Sequence, residues 1–212
     1  MDKQEGFPFI ERADESQKNA IVISRKPDPK APDLDFDALS WVLRARSKDP
    51  HRLILCGLFS DGQGQFVSTD GHRLHIAEIP ALTERIPAGT WLYVHADKKQ
   101  ISIKEAPEDL PNFPDYKKIS DISERHKNRG FLSYIDDTQA VWDYWNLTGI
   151  RSNIDYLLDI CRDTESLSVF SADPLPPCDI PGAPEPVAAA IFFCSESSEG
   201  NTKKAMLMPL KG

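Results

Sequence analysis

The sequence has few cysteines and no long apolar run. Its four cysteines, Cys56, Cys161, Cys178 and Cys194, are widely spaced and include no CxxC pair, which excludes a zinc-cluster motif and a disulfide framework. No apolar stretch approaches the roughly 18 residues that a membrane span needs, so we expect no membrane contact. The first 19 residues lack the basic-then-apolar layout of a secretory signal, so we expect a cytoplasmic protein.

Basic residues and catalytic motifs are also scarce. The 25 Lys and Arg residues are outnumbered by 33 Asp and Glu residues, and the formal charge of −8 excludes nonspecific nucleic-acid binding over the whole surface. The chain contains no GxSxG, GxxxxGK[ST] or HExxH motif. His72 and His75 are spaced for opposite faces of a strand, which disfavours a shared metal. We therefore expect a binding protein without enzymatic activity, cofactor or metal.

The first part of the chain predicts an edge strand, one helix and a strand meander. The apolar run 20–23 reads as an edge strand, and the prolines that follow it remove backbone donors, as in a stiff linker. From Asp35 onward, Phe36, Leu39 and Leu43 recur at the helical period. Strands are predicted at 53–59, 65–69, 74–79, 91–95 and 100–104.

The second part repeats this order of a helix followed by strands. Asn153 can cap a helix whose buried stripe is Ile154, Leu157, Leu158 and Cys161. Strands are predicted at 130–135, 139–144, 167–170, 188–194 and 205–210, and no helix is predicted between 121 and 149. A helix with one apolar stripe and a sheet with one apolar face bury each other, so the pattern predicts a two-layer α+β fold.

Four motifs resemble one protein family. Residues 69–74 read Thr-Asp-Gly-His-Arg-Leu, the TDGHRL signature of the bacterial DNA polymerase III β subunit, the replicative sliding clamp. Residues 113–119 resemble the FPDY segment that opens the last clamp domain, and 153–159 resemble the second helix of that domain. Residues 206–210, Met-Leu-Met-Pro-Leu, are similar to the tail that closes the clamp subunit. The motifs occur in the family's order.

The resemblance implies a shortened clamp. A clamp subunit has three domains, each made of two helix-plus-strands halves, whereas this chain has room for two halves. We expect an extension with an edge strand and a proline-rich linker at 1–33, a first clamp-like half at 34–118 and a second at 119–212. The two halves would pack as one clamp-type unit, and the first domain of the family would be missing.

The resemblance also implies a hydrophobic pocket for short linear peptides, built where the two halves meet. Arg73 and His72 would donate hydrogen bonds to peptide carbonyls at its rim. The residues of one wall would be Arg52, Leu55, Thr69, Gly71, His72, Arg73 and Leu74, and Pro114, Lys118 and Ile119 would lie beside this wall. The residues of the other wall would be Tyr156, Met206, Leu207, Met208, Pro209 and Leu210.

The expected partners follow from the same resemblance. Clamps bind DNA polymerases and clamp-loader proteins through linear peptide motifs, and they oligomerise into a ring around double-stranded DNA. Arg44 and Lys48 are the cations expected on the DNA-facing side of the first helix, but acidic residues offset them. The alternatives are a peptide-binding module that regulates or decoys replication proteins without encircling DNA, and a structural remnant whose pocket is closed by its own side chains.

Overall fold

A computed structural model describes residues 20–26, 33–117, 126–162, 164, 166–172, 190–196 and 202–208. Within these residues, three α-helices, α1 to α3, span Leu34–Leu43, Asp137–Thr148 and Ile154–Cys161, and short 3-10 turns span Pro50–Leu55 and Pro80–Leu82. Strands β1 to β10 span Ala20–Ser24, Gly57–Ser60, Gln65–Thr69, Arg73–Glu78, Gly89–Ala96, Gln100–Glu105, His126–Ser133, Ser166–Ala172, Ile191–Glu196 and Thr202–Leu207.

The ten strands form one antiparallel sheet. Its order is β1-β6-β5-β2-β3-β4-β10-β9-β8-β7, so β1 and β7 are its two edges. Strands β1 to β6 come from the first part of the chain and β7 to β10 from the second. The two groups join where β4 pairs with β10, with Leu74 opposite Met206 and Arg73 opposite Leu207. The seam between the two parts is therefore a continuous hydrogen-bonded ladder.

Helix α1 packs on the first group of strands. Its amino terminus is capped by Asp33, whose Oδ1 accepts a hydrogen bond from the Phe36 backbone N–H at 3.3 Å. Asp35 and Asp37 lie in its first turn, where the helix dipole favours negative charge. Trp41 of α1 is fully buried, and its Nε1–H donates to the Ile160 carbonyl of α3 at 3.1 Å. Helix α1 therefore contacts both the sheet and α3.

Helices α2 and α3 form a hairpin on the second group of strands. Asp136 caps α2, and Gly149 ends it in the left-handed conformation with φ of +62°. Asn153 caps α3 by accepting from the backbone N–H groups of Asp155 and Tyr156. The apolar residues Leu157 and Leu158 of α3 are buried. Three residues lie between Gly149 at the end of α2 and Asn153 at the start of α3, and so short a connection favours an antiparallel pair.

The sheet face opposite the helices carries a second apolar cluster, which we call the aromatic cluster. Its buried members are Val67, Leu74, Ile76, Tyr116, Phe192 and Met206, and Phe59, Phe113, Phe170 and Ala190 pack against them half-buried. Phe113 stacks on Phe59 with ring centroids 5.3 Å apart. The segment around 113–116 therefore packs on this face of the sheet, against Phe59 of β2 and Gln65 of β3.

The α+β fold class is confirmed, with helices on one face of an antiparallel sheet. The helix expected from Asp35 begins at Leu34, and the strands expected at 20–23, 65–69, 74–79, 91–95 and 100–104 are present within two residues of their predicted ends. No helix in the described part of the chain is long and apolar enough to cross a membrane.

Three sequence predictions on the second part were wrong. Residues 139–144 were expected to form a strand but lie inside α2, so the prediction of no helix between 121 and 149 is also wrong. The buried residues of α2, Ala140 and Tyr144, are four apart, which is the helical period; the aromatic content had favoured a strand instead. Ile154 was expected in the buried stripe of α3 but is 54% exposed.

Two predictions on the first part also need correction. The strand expected at 53–59 begins only at Gly57, because Pro50 opens a 3-10 turn that continues to Leu55. Arg44 and Lys48 were expected on the outward face of the first helix, but α1 ends at Leu43. Arg44 is its carboxy-terminal cap, and Lys48 lies in the loop that follows.

Candidate functional site

The turn between β3 and β4 is held by its own side chains. Asp70 Oδ1 accepts hydrogen bonds from the backbone N–H groups of His72 at 2.9 Å and Arg73 at 3.1 Å. Thr69 Oγ1 accepts from the Gly71 N–H at 3.0 Å and donates to the Arg73 carbonyl at 2.6 Å. Short polar side chains that bond the backbone two or three residues ahead are typical of rigid turns. Gly71 and His72 are therefore presented to solvent at a fixed position.

Arg52 braces this turn from the neighbouring 3-10 turn. Its Nη1 donates to the Asp70 carbonyl at 2.6 Å. Gly71 has φ of +91°, and a Cβ placed on it would stand 2.7 Å from Arg52 Nη2. The backbone conformation therefore favours glycine at this position, and an added Cβ would displace the end of the Arg52 side chain.

Gly71→Ala is expected to lower the free energy of unfolding by about 1 to 2 kcal/mol, because alanine strains the left-handed backbone and displaces Arg52. Urea denaturation followed by circular dichroism would measure the loss. Gly149→Ala is the matched control for the displacement of Arg52: φ there is +62°, so alanine is strained there too, but no atom lies within 4 Å of the added Cβ. A Gly71→Ala protein as stable as the wild type would contradict the assigned strain.

The carboxy-terminal strand lies directly beside this turn. Strand β10 pairs with β4, and beyond the ladder the Met208 N–H donates to the His72 carbonyl at 2.9 Å. The ring of Tyr156, from α3, stacks near the His72 ring with centroids 6.4 Å apart. Three segments distant in the sequence therefore meet at one end of the β4–β10 seam.

Arg73 is the buried ionic centre of this region. Its Nε donates to Asp70 Oδ2 at 3.1 Å, its Nη1 to Asp159 Oδ2 at 2.5 Å, and its Nη2 to the Arg44 carbonyl at 2.6 Å. The guanidinium carbon also lies 4.3 Å from the centroid of the Tyr156 ring. Arg73 therefore ties the turn to the end of α1 and to α3.

Leu74 and Met206 are closed in by the aromatic cluster on the other sheet face. Tyr116 lies over this cluster, and its hydroxyl donates to Gln65 Oε1 at 2.6 Å. Burial, with Asp61 and Asp115 nearby, raises the pKa of Tyr116 to about 12, so its hydroxyl stays protonated and keeps its donor role. Leu74 and Met206 are 1% and 7% exposed, so they form the floor of this region rather than its open surface.

The sequence-predicted pocket residues fall into three groups. The exposed or half-buried ones are Arg52, Thr69, Gly71, His72, Pro114, Tyr156 and Met208. The buried ones are Leu55, Arg73, Leu74, Met206 and Leu207. Lys118, Ile119, Pro209 and Leu210 lie outside the described residues. We call the exposed set around Gly71, His72, Tyr156 and Met208 the turn surface.

Two details of the predicted pocket differ from the structure. Arg73 was expected at the rim as a donor to peptide carbonyls, but it is buried and all three of its nitrogens donate to protein oxygens. Leu74 and Met206 belong to the aromatic cluster, whereas Leu207 belongs to the core under the helices. Neighbouring residues of a strand point to opposite faces, so these side chains cannot line one recess.

A buried histidine, which the sequence analysis considered only as a metal ligand, lies beneath the turn. His75 is fully buried, stacks on Trp41 with ring centroids 4.2 Å apart, and its Nδ1 lies 2.9 Å from the Trp41 carbonyl oxygen. Nδ1 therefore carries the proton of a neutral ring. Among the described residues, Nε2 has no hydrogen-bond partner. Burial, reinforced by Arg73, Arg44 and Lys203, lowers the pKa of His75 to about 3.

Acidification is expected to destabilise the fold through His75. Between its folded pKa of about 3 and its unfolded value of 6.5, the unfolded chain binds the extra proton. The stabilisation is therefore complete above this window and is lost as the pH falls through it, by about 2 kcal/mol between pH 7 and pH 5. His75→Phe keeps an aromatic ring to stack on Trp41 but removes the ionisable group. Urea denaturation of both proteins at each pH would test this; parallel pH dependences would contradict it.

The solved structures that this chain resembles are bacterial sliding clamps. The Caulobacter crescentus β sliding clamp is 16% identical, with a TM-score of 0.49, and the match covers 91% of this chain and 65% of that one. The Helicobacter pylori β clamp is 12% identical, with a TM-score of 0.48 and coverages of 92% and 67%. The DNA polymerase III subunit β of Pseudomonas aeruginosa is 13% identical, with a TM-score of 0.44 and coverages of 91% and 66%.

The chain thus spans about two thirds of the length of these clamps. No protein-family model matches the sequence, and the search of curated proteins found no match.

Proposed function

We propose that the chain is a reduced sliding-clamp-like protein, built from halves at 34–118 and 119–212, that binds short linear peptides of replication proteins at the turn surface. The single observation that carries the proposal is the ladder between β4 and β10. It brings the TDGHRL turn and the Met-Leu-Met strand, two motifs about 130 residues apart that resemble the clamp family, to one end of one seam.

The chemistry of the turn surface suits an apolar peptide anchor. Met208 is 39% exposed and supplies a flexible, polarisable side chain beside Tyr156 and His72. Because Arg73 is engaged internally, the donors left to a peptide carbonyl are His72 and Arg52. The rigid turn would hold both in place before a peptide arrives.

A labelled peptide with a Gln-Leu-Phe motif tests this proposal. We expect saturable binding to the wild-type protein and, because a carboxylate placed in an apolar anchor site is desolvated without a partner, at least about a tenfold weaker affinity for Met208→Asp. Fluorescence anisotropy would give both dissociation constants. Leu74→Asp is a poor variant for this test because Leu74 is only 1% exposed and a buried aspartate would unfold the sheet.

Ile135→Asp is the matched control for Met208→Asp. Ile135 is an exposed apolar residue, 77% accessible, in the turn before α2 and away from the turn surface. We expect its affinity for the peptide to equal that of the wild type. Equal binding by Met208→Asp and Ile135→Asp would reject the assignment of the site.

The finer part of the proposal is that several copies assemble around duplex DNA. The sheet has two edges, β1 and β7, and β1 presents Val22 at 46% exposure. Pairing of β1 in one copy with β7 in the next would extend the sheet and, if the rotation closes, form a ring. Light scattering would report the subunit number. A ring would remain on circular DNA and slide off linear DNA, whereas a monomer of 23.8 kDa would enclose neither.

The charge of the α2–α3 hairpin favours the second candidate function, a peptide-binding module that does not encircle DNA. Residues 136–162 contain five aspartates and two arginines. A helix layer that faces phosphates needs the opposite balance, since the attraction to DNA scales with the phosphates that lysine and arginine neutralise. Such a module would compete for, or regulate, proteins that carry clamp-binding peptides. A monomer that binds the Gln-Leu-Phe peptide but not DNA is the outcome expected of it.

A further inference from the structure

Helices α2 and α3 leave an open groove between them. Its volume is about 580 Å³, and its apolar lining is Val141, Trp142 and Trp145 from α2 with Ile154 and Leu158 from α3; Asp137 is the charged residue of its lining. The volume falls in the range of about 300 to 1,000 Å³ that is typical of ligand-binding clefts. The groove is therefore large enough to hold several side chains of a partner.

The side chains on this groove are unusually exposed for their type. Trp142 is 63% exposed, Ile154 is 54% exposed and Trp145 is 43% exposed. Trp142 and Trp145 are three residues apart and so lie on one side of α2. Exposed apolar residues are ordinary when they are scattered, whereas a contiguous set that lines a groove marks an interaction surface. Tryptophan is also the residue type most enriched among interface anchors.

This groove is distinct from the turn surface. Tyr156, which contributes to the turn surface, is two positions from both Ile154 and Leu158, or roughly 200° around the helix. The two surfaces therefore lie on opposite sides of α3, and a partner in the groove leaves the turn surface open. The inference goes beyond the proposed function and does not depend on it.

The charge around the groove identifies the kind of partner. Asp136 and Asp155 are exposed next in sequence to the lining residues Asp137 and Ile154, Asp143 directly follows the lining residue Trp142, and Arg151 is an exposed cation in the loop between the helices. Arg162 is already engaged with Asp137, with Nη2 at 2.6 Å from Oδ2. An apolar groove with an acidic border complements a ligand whose apolar side is flanked by lysine or arginine.

We propose that the α2–α3 groove docks a basic amphipathic helix of a partner protein. Such a helix places bulky apolar residues at positions i, i+3, i+4 and i+7 into a hydrophobic groove and holds its basic residues at the border. Trp142, Trp145 and Ile154 are the apolar contacts for its anchors. Asp136, Asp143 and Asp155 are the charges that select it over an acidic helix.

A synthetic leucine–lysine helix tests the proposal on the full chain. The probe is a labelled peptide of about 16 residues with leucines on one face and lysines on the other, and its counterpart carries glutamates in place of the lysines. We expect the lysine peptide to bind at least about tenfold more tightly than the glutamate peptide. Trp142→Ala and Ile154→Ala should each lower the affinity for the lysine peptide, and Trp142→Ala should lower it by about tenfold or more.

The control variant is Ile135→Ala, an exposed apolar residue that does not line the groove, and it should bind the lysine peptide like the wild type. Circular dichroism of each variant checks that the fold is intact, which the exposure of all three side chains favours. Equal affinity for the two peptides, or unchanged affinity in both groove variants, would overturn the proposal. A change of oligomeric state in Trp142→Ala, seen by sedimentation, would also overturn it, because the occupant would then be a second copy.

Discussion

Replacing Arg73 by methionine is expected to lower the free energy of unfolding by about 3 to 5 kcal/mol, the range measured when one partner of a buried ion pair is removed. The Arg73 side chain is 6% exposed, and its partners Asp70 and Asp159 are 11% and 30% exposed. Methionine fills a similar volume but leaves both carboxylates without their cation. It also leaves the Arg44 carbonyl without its donor. Urea denaturation at pH 7 would measure the loss.

Arg162→Met is the matched control for this experiment. Arg162 forms an ion pair with Asp137 of similar geometry, with Nη2 and Oδ2 2.6 Å apart, but both side chains are close to half exposed. Exposed pairs contribute about 0 to 1 kcal/mol, because water and salt already screen the charges. We therefore expect the two arginine variants to differ by at least about 2 kcal/mol. Equal losses would mean that Arg73 does not act as a buried charge.

The role of Arg73 could not be predicted from its sequence neighbours. Its i−3 neighbour Asp70 is visible in the sequence, but Asp159 is 86 residues away and reaches it only because α3 packs against the start of β4. From its sequence neighbours alone, an arginine at a turn is predicted to lie on the surface, because arginine is rarely buried without a partner. The available signal was that residues 73–79 have apolar side chains at both odd and even positions, which indicates a strand covered on both faces.

The elements predicted best are those with a strong local signal. Helix α1 has a cap, acidic residues in its first turn and an apolar residue every third or fourth position, and the β2–β3 and β3–β4 hairpins have glycines in their turns. The juxtaposition of the TDGHRL turn and the Met-Leu-Met strand followed from the resemblance rather than from any pattern, because pairing between strands distant in sequence leaves no local trace. The β4–β10 ladder confirms that these two segments are neighbours.

The elements predicted worst lie where local preference and tertiary packing disagree. The aromatic and β-branched residues of 139–145 favour a strand, yet the Asp136 cap and the Gly149 stop enclose a helix there. The same packing explains why the expected pocket is divided between two sheet faces. Phe113 and Tyr116, the aromatic residues of the FPDY segment, belong to the same apolar cluster as Leu74 and Met206, and these two side chains are buried.

Trp41→Ala is the second substitution from which we expect a large effect, about 3 to 5 kcal/mol, as for other fully buried aromatic residues truncated to alanine. Trp41 is 0% exposed and connects three elements: its backbone belongs to α1, its ring stacks on His75 of β4, and its Nε1–H donates to the Ile160 carbonyl of α3. Truncation leaves a cavity between the sheet and α3, an unstacked His75 ring and an unpaired carbonyl.

Trp41→Phe separates these contributions. Phenylalanine retains a ring against His75 but cannot donate to the Ile160 carbonyl, so the loss is expected to be about 1 to 3 kcal/mol, the cost of an unsatisfied buried acceptor. Urea denaturation followed by far-ultraviolet circular dichroism measures both variants without relying on tryptophan emission. Trp41→Phe lacks the hydrogen bond to α3 but keeps a packed ring, whereas Trp41→Ala lacks both. Equal losses of stability would therefore mean that the hydrogen bond, and not the packing of the ring, holds the helix layer on the sheet.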